Sequence, residues 1–111
     1  MKFVIKAEEL VKSKDKIKQV VLASKLVKKS IYLKANDNEL ILYAQSQGNY
    51  GEAHIPCGVE TNGFVELSEK SLDVFDFIEG EVFFELDGKH LKYKSSSAKG
   101  KINTNSTEPD F

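Results

Sequence analysis

The chain has 111 residues, a formal net charge of −1, 41% hydrophobic and 30% charged residues, the size and make-up of one folded domain with a single core. No apolar run approaches the roughly 18–20 residues of a membrane span, and Glu8 and Glu9 interrupt the N-terminal stretch where a signal peptide would stay apolar. The only cysteine, Cys57, rules out an intrachain disulfide, so a reducing, cytoplasmic setting is expected.

Taken in chain order, the first element is a short strand at Phe3-Val4, followed by a helical pattern over residues 8–22. At roughly 100° per residue, Leu10, Ile17 and Val21 form a narrow apolar stripe. Lys12 and Lys16 fall on the far side and Lys18 on the flank. Lys14 falls beside the stripe, which predicts an irregularity in the helix. Glu8 and Glu9 stand in the first turn, where the helix dipole favours them. The turn from Ser24 to Lys29 leads into YLKANDNELILYAQS (32–46), two strands joined by a tight polar turn at Asn36-Asp37-Asn38. Tyr50 to Pro56 forms a further strand.

Gly58 to Gly63 reads as a seam, because FVELSEKSLDVF (64–75) then repeats the plan of FVIKAEELVK (3–12): a Phe-Val strand, a polar junction and a helix. Ser68 is the expected N-cap of this second helix, which covers about Glu69 to Ile78. Val74, Phe75 and Ile78 mark its buried side, and Glu69, Asp73 and Asp76 an acidic stripe. FFELDGKHLKYKSS (83–96) is a second hairpin around Asp87-Gly88, and Ala98 to Thr104 is the last strand. The chain therefore reads β-α-β-β-β twice, with halves of about 1–57 and 63–105 in a single domain of residues 1–111. Its class is α+β, two helices packed on antiparallel sheets. The strand aromatics Phe3, Phe64, Phe83, Phe84, Tyr32 and Tyr43 are assigned to the core.

Charge is uneven. Residues 1–29 hold nine lysines against three acids, and the rest of the chain seven lysines against fourteen acids. Such asymmetry can mark a nucleic-acid-facing surface, although charge alone favours the plainer reading of a solvated lysine-rich helix. All sixteen basic residues are lysine. Bidentate reading of guanine edges is therefore absent, while sequence-blind phosphate contact remains. Groups suited to catalysis are few. His54 and His90 lie in different halves without metal-ligand spacing, Cys57 has no partner nearby, Ser95-Ser96-Ser97 reads as a loop, and no phosphate-cradling glycine motif occurs. No enzyme, metal or cofactor is expected.

The doubled pattern, with MKF at the start and LSEKSLDVFDFIEGEVFFELDGKHLKYKSS, resembles the first domain of the bacterial DNA sliding clamp, the beta subunit of the replicative polymerase. The resemblance runs from Met1 to the closing TEPDF, where Pro109-Asp110-Phe111 is similar to the start of that family's link into its second domain. It implies a DNA-clamp fold, six such domains forming a ring, with helices lining the channel and sheets forming the outer wall. The implied function is a non-catalytic processivity factor that encircles duplex DNA through sequence-independent phosphate contacts. DNA polymerase and a clamp loader are the implied partners, with no cofactor and no membrane. Under this resemblance Lys12, Lys16, Lys25, Lys28 and Lys29 face DNA, and Lys70, Asp73, Val74, Lys99 and Ile102 make the ring contact, in a homo-oligomer or with other clamp domains.

Three departures accompany the resemblance. Gly100 stands where the family usually has a bulky aromatic, the acidic stripe would repel phosphate in a channel, and the turn Ser24 to Lys29 is short. The family's partner-peptide groove lies between its later domains, so no residue is assigned to it here. Two forms remain open, a domain of a longer subunit and a small one-domain relative, viral or phage-borne, whose copies assemble into a ring. The alternative function is a clamp-fold interaction module that binds a replication protein through its acidic helix without encircling DNA.

Overall fold

The computed structural model describes residues 1–20, 29–46 and 49–104. Side chains repeat with period two along every strand, so each sheet buries one face. Phe3 and Ile5 turn inward from β1 (Lys2–Lys6); Ile31, Leu33 and Ala35 from β2 (Lys29–Asn36); and Leu40, Leu42 and Ala44 from β3 (Glu39–Ser46). Ile55 does so from β4 (Asn49–Pro56) and Val65 and Leu67 from β6 (Gly63–Leu67). Val82 and Phe84 are buried from β7 (Glu81–Asp87), Leu91 from β8 (His90–Lys94) and Ile102 from β9 (Lys99–Asn103). The seam read at Gly58 to Gly63 holds an unexpected strand, β5 (Gly58–Thr61).

The hairpin turns follow their residues. Asp37 and Asn38 both adopt positive φ, as a two-residue turn between right-twisted strands requires, and in the second hairpin Gly88 alone does so. All strand pairs are antiparallel, in two sheets ordered β5-β1-β7-β8-β9 and β4-β3-β2-β6. The first strand of each half thus leaves its own hairpin and joins that of the other half: β1 pairs with β7, and β6 with β2. Between β5 and β6 the chain crosses from one sheet to the other at Asn62. The Asn62 amide donates to Asn36 Oδ1 (3.1 Å) and its carbonyl oxygen accepts the Asp37 amide N–H (3.4 Å), which ties the crossing to the first hairpin turn.

Helix α1 (Ala7–Val20) runs from β1 in one sheet toward β2 in the other, and a 3-10 helix (Glu69–Phe77) from β6 back to β7. Both lie over the inner faces. Ser68 caps the second helix, its hydroxyl accepting the Ser71 amide N–H, as expected. The helix is 3-10 rather than α, and its buried row is Leu72, Phe75 and Ile78, spaced by three, because three residues make one 3-10 turn. That phase leaves Val74 only half-buried.

Phe75 meets Phe84 edge-on with ring centroids 6.2 Å apart, and Phe84 stacks on Phe3 at 4.9 Å. The core assignment of the strand aromatics therefore holds for Phe3 and Phe84 alone. Phe83 is 58% exposed, and Phe64, Tyr32 and Tyr43 are half-buried on outward faces, since adjacent strand residues point to opposite sides. Because Phe84 joins the two halves, Phe84→Ala is expected to cost about 3–5 kcal/mol in urea unfolding; a loss below about 1 kcal/mol would contradict this packing.

Candidate nucleic-acid interface

The buried stripe of α1 is Ala7, Leu10, Lys14 and Ile17. The helix passes through Lys14 without a break, so the irregularity expected there is absent. The lysine stem lies in the stripe, the side chain is 3% exposed, and its ammonium reaches the carboxylate of Asp76 on the 3-10 helix. Asp15 Oδ1 lies 3.4 Å from the same nitrogen. Burial pushes the Lys14 pKa down, but the hydrogen bonds and charges of Asp76 and Asp15 together outweigh it and leave the group above its ordinary value. One turn further, Lys18 Nζ donates to Asp73 Oδ1 at 3.4 Å.

These two contacts change the reading of the acidic stripe. In a 3-10 helix Asp73 and Asp76 share a row, and that row meets lysines of α1. Their charge is therefore compensated within the domain. Lys12 and Lys16 lie on the opposite, solvent side of α1, exposed and without an acidic partner among the described residues. They stand four residues apart, one above the other on the helix surface, with Glu8, Glu9 and Asp15 exposed around them. The remaining lysines assigned to DNA are less well placed: Lys25, Lys28 and the Ser24-to-Lys29 turn fall outside the described residues, and of Lys29 only its place at the head of β2 is described.

The five residues assigned to a ring contact occupy two elements. Lys70, Asp73 and Val74 lie on the 3-10 helix and Lys99 and Ile102 on β9, one of the two edge strands of the five-stranded sheet. Lys70 and Lys99 are exposed. Asp73 is engaged by Lys18. The assignment of Ile102 as a contact side chain is corrected: it is 4% exposed, opposite Leu91 in the domain's own core, because it falls on the inward phase of β9. A side chain at Gly100 would require the Tyr93 ring to move aside. A Cβ there would stand 2.5 Å from the Tyr93 hydroxyl, so the cross-strand Tyr93 places an aromatic ring over this glycine.

Elsewhere, His54 sits on the outer face of β4 between Glu39 (Nδ1, 2.6 Å) and Glu52 (Nε2, 2.9 Å). Hydrogen bonds to Glu52 and then Glu39 raise its pKa. The Tyr50 hydroxyl also donates to Glu52 at 2.5 Å and, with His54, lowers that carboxyl's pKa. Burial pushes the Cys57 thiol up, away from the reactive thiolate. Among the described residues no group of three His, Cys, Asp or Glu side chains could hold a metal ion, and no helix is long and apolar enough to cross a membrane. Sequence reasoning passed over Phe77, 78% exposed on the 3-10 helix. It is out of phase with the buried row at three-residue spacing, a mismatch the assumption of an α-helix hides.

No family model and no curated protein matches the sequence. Solved structures do. Caulobacter crescentus pol III beta superposes with a TM-score of 0.82 at 16% identity, over 95% of this chain and 30% of that one. The Helicobacter pylori beta clamp bound to a DNA ligase peptide gives 0.82 at 18% identity, over 100% and 32%. The DNA polymerase III subunit beta from Pseudomonas aeruginosa gives 0.75 at 16%, over 95% and 30%. The chain thus spans less than a third of the length of these structures, and the fold is that of one beta sliding clamp domain.

The Lys14–Asp76 contact generates a paired prediction. Asp76→Ala strands a buried ammonium and is expected to cost about 1–3 kcal/mol, less than a fully buried pair because Asp76 is half exposed and Asp15 remains. Lys14→Met replaces the cation with an apolar side chain of similar shape and is expected to stay within about 1 kcal/mol of the parent. A folded pKa above the unfolded one means the Lys14 contribution is complete below pH 10.5 and is lost as pH rises through the folded value. Urea unfolding from pH 8 upward reads both effects, and equal costs for the two variants would reject this account.

Proposed function

We propose that this chain is a DNA-clamp domain that takes part in encircling duplex DNA and tethering a polymerase, a binding role without chemistry of its own. The observation that carries the reading is the helix side of the clamp fold. There Asp76 and Asp73 of the 3-10 helix are matched by Lys14 and Lys18, while Lys12 and Lys16 stay exposed and without an acidic partner among the described residues. An ammonium on a flexible stem makes non-directional phosphate contacts, which allow sliding and hold by counterion release. Lys25, Lys28 and Lys29 belong to the same proposed surface by sequence position.

A ring requires further domains, either more copies of this chain or domains joined to it. Sheets that end in unpaired strands offer the means, since an open edge is a template for another strand. Here β9 and β4 end the two sheets on opposite hairpins. Lys70, Val74 and Lys99 remain the proposed contact residues on the 3-10 helix and β9. A clamp loader is the corresponding proposed partner for opening such a ring. The rival reading, docking through an acidic helix, is weakened because Asp73 and Asp76 already have lysine partners.

Retention on DNA circles against linear DNA is the test. Encirclement predicts that the protein stays on a closed circle and slides off a linear duplex of the same sequence, with log affinity falling against log salt by about 0.9 per phosphate neutralised. Lys12→Glu with Lys16→Glu is expected to abolish retention with unfolding unchanged; retention of the double variant at the parent level would reject the inner-face assignment. Light scattering checks assembly. Val74→Glu with Lys99→Glu is expected to lower the assembled mass, and an unchanged oligomer would reject this contact. Ile102→Asp cannot serve there, because it is expected to unfold the domain by burying a carboxylate.

A further inference from the structure

The outer face of the five-stranded sheet forms an open trough of ≈ 890 Å³ that crosses all five strands. Strand alternation assigns its lining to two rows. One runs Gly58, Val4, Phe83, Lys94, Lys99, each the register partner of the next. The other includes Lys2, Glu85, Lys92 and Lys101, again partnered in register. Asn38, from the turn of the other sheet, closes the β5 end.

The trough is graded. Its middle is apolar, with Val4 beside Phe83, whose ring is 58% exposed. Its β8–β9 end is cationic: Lys92 faces Lys101 and Lys94 faces Lys99 directly across the hairpin. Like charges directly opposite each other destabilise a strand pair. Lys92 has Asp87 at 2.8 Å, and Lys2 has Glu85 at 3.8 Å. Lys94, Lys99 and Lys101 have no acidic partner among the described residues. The hairpin therefore carries a repulsion that a bound anion would relieve, next to an aromatic side chain left in water.

We infer that this trough binds an acidic peptide segment of a partner protein, with one apolar side chain seated on Phe83 and Val4 and carboxylates on the β8–β9 lysines. The charge pattern favours a peptide over single-stranded nucleic acid. A phosphate backbone carries its charge evenly, whereas here Glu60 lines the β5 end of the trough and Glu85 stands beside Lys92 within it. A single exposed aromatic is also a short platform for stacked bases. A peptide whose apolar anchor and acids are offset along its length matches the gradient. The site is on the sheet side, and it stands whether or not the helix side holds DNA.

The probe is a fluorescein-labelled peptide with two leucines followed by four aspartates, read by fluorescence anisotropy. The parent protein is expected to bind it, less tightly as salt rises. Phe83→Ala is expected to weaken binding roughly tenfold, as does loss of a central apolar anchor elsewhere. Lys94→Glu with Lys101→Glu is expected to weaken it at least as much, and Lys12→Glu with Lys16→Glu to leave it unchanged. All three trough residues are exposed, so their substitution is expected to spare the fold, which circular dichroism checks. No binding by the parent, or binding unchanged in both trough variants, overturns the inference. Tighter binding of a labelled oligothymidylate that is lost in the same variants also overturns it, in favour of nucleic acid.

Discussion

Because β1 pairs with β7 and β6 with β2, each helix has to start under one sheet and end under the other. That exchange governs the packing of the whole domain. Both helices must cross the same boundary between sheets, so they come to lie together on the inner faces, where Phe75 can reach Phe84 and Phe84 can stack on Phe3. Neither half can bury its apolar row alone. The core is common property of residues from both, as the buried cluster running from Phe3 to Ile102 shows.

Placing the helices together also decides which charges are left for a ligand. A chain with sixteen lysines and seventeen acids has ample material for either a basic or an acidic surface. Which one forms depends on which charges neutralise each other inside the domain. Lys14 and Lys18 are drawn toward the 3-10 helix and meet Asp76 and Asp73, while Lys12 and Lys16, each two residues before one of them on the same helix, point outward. A buried ammonium is tolerable only with such a partner, since an unpaired one would lose its hydration without compensation. The contact is thus a condition for closing the two helices as well as a sorting of surface charge.

The sheet side follows the same logic with the opposite outcome. Cross-strand register brings lysines face to face on β8 and β9 and sets Phe83 beside Val4. The helices cover only the inner faces, so they cannot relieve this arrangement on the outer one. Two surfaces of distinct chemistry result, an α-helical one that exposes Lys12 and Lys16 and a graded trough with an apolar centre. Similarity to one domain of beta sliding clamps, at 15–18% identity, concerns the backbone they share. The placement of charge over it is set by this chain's own residues.

What the sequence determined by itself was local. The turn residues Asn36-Asp37-Asn38 and Asp87-Gly88 marked the two hairpins, Ser68 marked a helix start, and the repeat of a Phe-Val strand and helix disclosed two similar halves. Each of these depends on residues within a few positions of one another. The exchange of first strands, the fifth strand at Gly58–Thr61, the inward turn of Ile102 and the outward turn of Phe83 were decided by the tertiary structure. So was the fate of Lys14, which sequence periodicity marked only as an anomaly. Its partner lies 62 residues away, and a side chain that far along the chain becomes a neighbour only after both halves have packed onto one core.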